Sequence, residues 1–349
     1  MMNKHFQSLP KIALIEFDQS HAECLYSQIL FLQDHYQITV FLNKKSPEDL
    51  TNIPNITLIT LDLDNKKTNQ IVKNYLIKEK INKVVFNSAE RKIYKFLLLF
   101  LFNKQISFWG ILHNPNRLKK SLKQKYISFK LKGYFVLSDF VKQNITKEKL
   151  TKTPIKSIYT IFFKKENILE KIIKLQNETW IVIPGKVESY RRDYQFLLQL
   201  NIPQNIKFII LGNINTPEGI QFKDKVHKLG VSSNFILFES YIQNDVFNQY
   251  IENADFILPL IHPNNPFFNK YIKNKITGTY NWAYAFKKTM LLEQSFSSID
   301  EFKETSNFYD IKSKNQIFNS IKEPKKEYTS DKWNFKHQQN TYLNFIKTQ

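Results

Sequence analysis

Four stretches of this chain carry residue types that could do chemistry. In IVIPGKVESYRRDYQFLL (181–198) a branched apolar run empties into Gly185-Lys186, and Arg191 and Arg192 follow where a helical pattern begins. Gly lets a ligand approach the backbone closely, and Lys and Arg make charge-assisted bonds to phosphate oxygens. Cations in a first helical turn oppose the helix dipole unless an anion or an acid compensates. Pairing with Glu188 and Asp193 is the plain alternative. The second stretch, Lys275-Ile-Thr277-Gly278-Thr279-Tyr280, is a hydroxyl-rich turn opening a helix, either an ordinary N-cap or a phosphate site. The third comprises the remaining strand ends of the second half, Gly212-Asn213, Glu239-Ser240-Tyr241 and His262-Pro263-Asn264. The fourth is a pair of histidines in the first half, His21 and His113, each of a type that can bond a hydroxyl or act as a base near neutral pH, or serve structure alone.

These residues must be positioned by regular elements. Strand patterns fall at 11–17, 37–43, 56–62, 83–88, 106–112, 134–138 and 158–163, with helical patterns at about 20–32, 66–80 and 89–102. Ser20 and Glu23 read as a capping box that would put His21 just inside the first helix. After a polar helical stretch at 164–177 the alternation restarts. Strands are expected at 179–184, 207–212, 234–240, 255–261 and 289–293. Helices are expected at 190–200, 218–230, 244–254 and 278–286, with a helical tail in 326–349. Strand and helix alternating twice predicts α/β architecture with two doubly wound parallel sheets, Rossmann-like, facing across a cleft. Ligands of such sheets sit beyond the carboxyl ends of strands, where the four stretches lie.

Composition narrows the function classes. The chain has 349 residues, 42% hydrophobic and 15% aromatic, ample for two packed cores. One cysteine, Cys24, rules out an internal disulfide framework and fits a reducing compartment. No signal-peptide pattern opens the sequence, and the longest apolar run, FLLLFLF at 96–102, is too short to span a bilayer. A cytoplasmic location follows as the expectation. G-x-G-x-x-G, G-x-x-x-x-G-K-[ST], C-x-x-C and H-E-x-x-H are all absent, which disfavours nicotinamide binding, P-loop hydrolysis and zinc. Asp62-Leu-Asp64 reads as a metal-holding triplet or as a solvated strand end.

Formal charge is +20, unevenly spread. Residues 1–165 hold 28 Lys+Arg against 12 Asp+Glu, and residues 166–349 hold 23 against 19. The block 116–133 carries seven cations and no acid. A solvated helix face, a nucleic-acid patch and a surface for anionic lipid headgroups are its three readings.

The order and spacing of IALIEFDQSHAECLYSQILFL, VIPGKVESYRRDYQFLL, YIENADFILPL and KITGTYNWAYAFKKTMLL resemble the GT-B glycosyltransferases, in particular the family-4-like enzymes of bacterial surface-polysaccharide assembly such as capsule and lipopolysaccharide. The resemblance covers nearly the whole chain. It implies transfer of a hexosyl group from a UDP-, GDP- or dTDP-sugar, without a tightly bound metal or cofactor, to a saccharide or lipid-linked acceptor. Residues 1–163 would bind the acceptor, 164–325 the donor, and 326–349 would cross back to the first domain. By resemblance, Lys186 meets the donor diphosphate with Arg191 or Arg192 assisting. Gly185, Gly212, Asn213, His262, Lys275 and Tyr280 line the donor site, and Thr277, Gly278 and Thr279 stand at the helix start that caps the phosphates. His113 approaches the donor sugar or the reaction centre, with His21 beside it as the second catalytic candidate. In one respect the chain departs from retaining members, since no Glu of a Glu-x7-Glu pair lies between Glu252 and Glu293. A sugar-nucleotide epimerase and an inactive saccharide-binding paralogue remain open alternatives. A nucleic-acid binder ranks last, and no nucleic-acid partner is expected. The basic half would be the acceptor half, resting through 116–133 and the apolar helix on the inner membrane face as a peripheral protein.

Overall fold

A computed structural model describes the chain except residues 1–8, 47–49, 52, 165–170, 314 and 348–349. It divides into two compact units, Met1–Phe163 with Asn334–Gln349, and Lys164–Trp333.

The first unit is built on seven strands: β1 (Lys11–Glu16), β2 (Gln37–Asn43), β3 (Ile56–Leu61), β4 (Lys83–Phe86), β5 (Ser107–Ile111), β6 (Gly133–Val136) and β7 (Ile155–Ser157). They are parallel throughout and lie in the order β3-β2-β1-β4-β5-β6-β7. Nearly continuous burial of KIALIE and QITVFLN reflects helices on both faces, as a doubly wound sheet requires. Strand order reverses between β1 and β4, so the loops after these two strands diverge and leave a crevice at their carboxyl ends.

The second unit has six parallel strands: β8 (Thr179–Pro184), β9 (Ile206–Asn213), β10 (Phe235–Phe238), β11 (Phe256–Ile257), β12 (Thr289–Glu293) and β13 (Ser306–Tyr309). Their order is β10-β9-β8-β11-β12-β13, reversing between β8 and β11. Strand β13 is an element that the sequence patterns do not announce.

The terminal helix Phe335–Lys347 packs in the first unit against the helix Glu23–Leu32. Its Tyr342 ring stacks on Phe135 at 4.5 Å, and its hydroxyl donates to Gln28 Oε1 at 2.9 Å. Phe345 lies so close to Gly133 that a Cβ there would meet the ring at 2.4 Å.

Several expected bounds move, each for a local reason. The first helix starts at Glu23, with Ala22 as N-cap and no side-chain cap, so the Ser20/Glu23 box does not form. His21 lies outside that helix with φ +73. The strand expected at 158–163 pairs instead over Ile155–Ser157. Beyond it, backbone N–H groups go to side chains: Tyr159 N to Gln338 Oε1 and Phe162 N to Ser27 Oγ, both at 3.0 Å. Of the helix expected at 164–177, residues 165–170 lie outside the described residues, and 171–177 are not helical. The helix expected at 190–200 shrinks to Tyr194–Leu197, because Asp193 caps it by accepting from Phe196 N. Arg191 and Arg192 therefore precede the helix, with their N–H groups turned onto Glu188 O. The strand at 255–261 pairs fully only over Phe256–Ile257, and Leu260 is left at φ +54. The tail becomes helical only from Phe335.

Candidate functional site

In the second unit the sequence stretches converge at the carboxyl end of β8. Gly185 turns the chain at φ +108, a conformation that L side chains avoid. Gly212 lies against it, and a Cβ at Gly212 would meet the Gly185 carbonyl oxygen at 2.2 Å. Arg192 holds the turn from within and is only 8% exposed. Its guanidinium donates to Pro184 O at 2.6 Å and to Lys186 O at 3.0 Å, and reaches Thr279 Oγ1 at 3.3 Å. The Gly turn is thereby tethered to the start of the helix Gly278–Ala285. Thr277 caps that helix, accepting from Thr279 N, and Gly278 faces open space with no atom within 4 Å of a built Cβ.

Lys186 is exposed, and its ammonium has no partner among the described residues. The turn thus presents one uncommitted cation and the Gly278 N–H at an open helix start, while the second cation, Arg192, is spent on architecture. That arrangement can hold an anion with a diphosphate's spread of charge.

The other candidates of this half divide. Arg191 pairs with Glu188 at 3.1 Å and lies over the Tyr190 ring, the plain reading of the sequence. Lys275 lies over the Tyr271 ring, and burial together with Arg191 and Lys270 holds its ammonium below the ordinary lysine value. Asn213 is exposed at the end of β9, its Oδ1 accepting from Asn215 N. His262 is fully buried, with Nδ1 donating to Asp193 Oδ2 at 3.0 Å and Nε2 accepting from the Tyr309 hydroxyl at 2.7 Å. Both ring nitrogens are committed, so His262 braces the loop after β11 and meets no ligand itself. Tyr280 is also fully buried and packs edge-on against Phe302, which makes it a core residue rather than a donor contact.

In the first unit the two histidines come together. Their rings stack with centroids 3.9 Å apart and planes within 9°. His113 Nε2 lies 2.7 Å from Asn87 O. A carbonyl only accepts, so the neutral ring carries its proton on Nε2 and offers Nδ1 as a lone pair. Burial and the neighbouring His21 push His113 well below the ordinary histidine value. Burial also lowers His21, but the carboxylates of Glu23, Glu16 and Glu90 more than offset it, so its imidazole titrates above the ordinary value.

Sequence reading missed the acids beside them. Glu16, the last residue of β1, is fully buried. It accepts from Asp18 N, from Asn87 Nδ2 at 2.6 Å and from Ser88 Oγ at 2.7 Å. Burial pushes its carboxyl up to about 7 against those bonds. Glu90 is also raised by burial, although it accepts from Asn114 N and Arg117 Nε. The signal was present as a single acid inside the apolar run KIALIEF. Glu16, Asn87 and His21 occupy the β1/β4 reversal, where the raised carboxyls of Glu16 and Glu90 and the raised imidazole of His21 stand beside the lowered imidazole of His113.

Asp62 and Asp64 are engaged by Lys44 and Lys45 at 2.6 and 2.9 Å. No cluster of three or more metal-ligating side chains occurs among the described residues.

No protein-family model matches the sequence, and no curated protein sequence does. Solved structures do. The lipopolysaccharide outer core galactosyltransferase WaaB in its apo form superposes with TM-score 0.63 at 13% identity, covering 96% of this chain and 99% of that one. Anabaena HepE in complex with UDP gives 0.59 at 12%, covering 95% and 94%. A UDP-N-acetylglucosamine 2-epimerase gives 0.58 at 10%, covering 97% and 95%. With its two parallel doubly wound sheets, the chain has the GT-B fold that these glycosyltransferases carry and the epimerase shares.

Proposed function

We propose that this protein is a metal-independent glycosyltransferase that moves a hexosyl group from a nucleoside diphosphate sugar to a saccharide or lipid-linked acceptor in surface-polysaccharide assembly. The observation that carries the reading is the anion cradle beyond β8: the Gly185 turn, the free Lys186 ammonium and the helix start at Gly278, locked together by Arg192. The structural neighbours WaaB and HepE are consistent with it, HepE having been crystallised with UDP. Lys186 and the Gly278 N–H at the helix start stabilise the charge that develops on the departing diphosphate. The second unit takes the donor and the first unit the acceptor. His113 Nδ1 accepts the hydrogen bond of the attacking hydroxyl, and His21 with Glu16 supplies groups able to carry its proton.

Peripheral membrane binding belongs to the same proposal. No helix among the described residues is long and apolar enough to cross a membrane. Phe102 (96% exposed), Leu122 (80%) and Phe129 (83%) are exposed in the first unit, whose segment 116–133 also exposes Lys123 and Lys125 and Lys119 paired with Glu148. Lys130 ties the two elements by donating to Phe100 O. Exposed apolar side chains on a lysine-rich segment suit an anionic headgroup layer.

The test is a thermal-shift and calorimetric screen against UDP, GDP and dTDP and their sugars, with and without Mg²⁺. Saturable stabilisation by one nucleoside diphosphate irrespective of Mg²⁺ is expected, and silence across the panel overturns the reading. The epimerase alternative draws on the acid and imidazole cluster of the first unit. It predicts isomerisation of the bound sugar nucleotide with no acceptor present, whereas the transferase leaves the sugar's configuration at C2 untouched.

A further inference from the structure

The first unit also holds a cavity of about 530 Å³ at the carboxyl ends of its strands. Phe17 after β1, Asn43 at the end of β2, Leu63 after β3 and Arg91 after β4 contribute to its wall. The size is that of a pocket for a small organic ligand. Its charge is unusual: Lys45, Arg91, Lys92, Lys95 and Lys123 line it, against the single acid Asp64.

Two of the five cations are already matched. Lys45 pairs with Asp64 at 2.9 Å, and Lys92 with Asp18 at 3.3 Å. Arg91, Lys95 and Lys123 have no ion-pair partner among the described residues. Three like charges around one hollow repel each other and concentrate a positive potential there, which an anionic ligand relieves. One carboxylate would leave most of that charge unmet, and a diphosphate would match it. Lys123 also follows Leu122, whose exposed side chain belongs to the apolar face described above.

We infer that this cavity binds a phosphate-bearing group of the acceptor, with Arg91, Lys95 and Lys123 as its anion contacts. The inference rests on the transferase reading for the word acceptor, and on the cavity alone for the anion. Lys92 donates to Phe17 O and so fixes the wall between the cavity and Glu16. Arg91 directly follows Glu90 of the acid and imidazole cluster. The phosphate belongs either to a prenyl-diphosphate-linked saccharide or to a free sugar phosphate.

The experiment is calorimetric titration of the full chain, saturated with UDP, with inorganic pyrophosphate, geranyl diphosphate in detergent micelles and glucose 1-phosphate. The protein is compared with Arg91→Gln/Lys95→Gln and, separately, Lys123→Gln. Each lost charge-assisted contact should weaken phosphate binding about tenfold, with UDP affinity and Tm unchanged. Geranyl diphosphate binding more tightly than the other two probes supports the lipid-linked source, and glucose 1-phosphate leading supports the free one. Wild-type protein that binds none of the probes, or variants that bind them as well as wild type does, overturns the inference. UDP silence together with variant-sensitive phosphate binding instead overturns the transferase reading and leaves the anion cavity standing.

Discussion

His21 and His113 lie face to face, 3.9 Å between ring centroids. Two imidazolium rings at that spacing repel each other, so protonation is divided between them. Histidine NMR should show His21 titrating above the ordinary histidine value and His113 well below it. In His21→Ala, His113 should move upward but stay below 6.5, because burial remains. An ordinary titration of His113 in the wild type would mean that the stack is absent in solution.

Glu16 binds its proton more tightly folded than unfolded, its carboxyl being raised from 4.5 to about 7. Its contribution to stability is therefore full below pH 4.5 and lost as pH rises through 7. Between pH 5 and pH 8 the loss is about 2–3 kcal/mol on the linkage relation. His21 works in the same direction and His113 in the opposite one, so the difference between wild type and Glu16→Gln is the quantity to measure. Urea denaturation at pH 5 and pH 8 should show the variant gaining on wild type at the higher pH. Parallel curves would mean that Glu16 titrates as an ordinary carboxylate.

Gly212 and Gly278 separate packing from ligand contact. A methyl group at Gly212 overlaps the Gly185 carbonyl, so Gly212→Ala should cost about 2 kcal/mol or more and weaken UDP binding with it. A methyl group at Gly278 meets no protein atom. Gly278→Ala should leave stability within about 0.5 kcal/mol yet weaken UDP at least about tenfold, because the methyl stands where phosphate approaches. Full UDP affinity in Gly278→Ala would remove that helix start from the site.

Lys186 and Arg192 should part in the same way. Lys186→Ala is expected to weaken nucleoside diphosphate binding about tenfold with Tm unchanged. Arg192→Met removes the short donor to Pro184 O and one of the two side-chain donors to Lys186 O, leaving the hydroxyls of Thr279 and Tyr194 at 3.3 Å, and should cost about 1–3 kcal/mol as well as affinity. If both variants behave alike in chemical denaturation, Arg192 is not the lock of the turn.

For the membrane face, Phe102→Ser/Phe129→Ser and Lys119→Gln/Lys123→Gln/Lys125→Gln should each reduce sedimentation with anionic vesicles, the second more strongly at low salt. Partition equal to wild type in both would remove this face from membrane binding.

The doubly wound alternation was readable because buried parallel strands are apolar runs of six or so residues and their helices are amphipathic. The convergence of Gly185, Lys186 and Thr279 followed from the rule that loops after parallel strands meet. What failed to show was local. Arg191 and Arg192 are neighbours of one type, and only the side of the turn on which each falls makes one a surface ion pair and the other a buried tether. His262 looked free because its partners, Asp193 and Tyr309, lie 69 and 47 residues away. Glu16 was hidden by position, since its burial depends on Asn87 and Ser88 arriving from β4. Strand β13 has only four residues, SNFY, too few to show a period.

The terminal helix Phe335–Lys347 has a consequence for biogenesis. It closes the first unit, yet the ribosome makes it after the whole of the second. The usual vectorial order, in which the leading domain folds first, is thus inverted. The second unit can complete itself while the first waits with Gly133, Phe135 and the flank of Glu23–Leu32 uncovered. A nascent chain stalled before residue 334 would expose that apolar strip, which makes the N-terminal half the expected client of chaperones during synthesis.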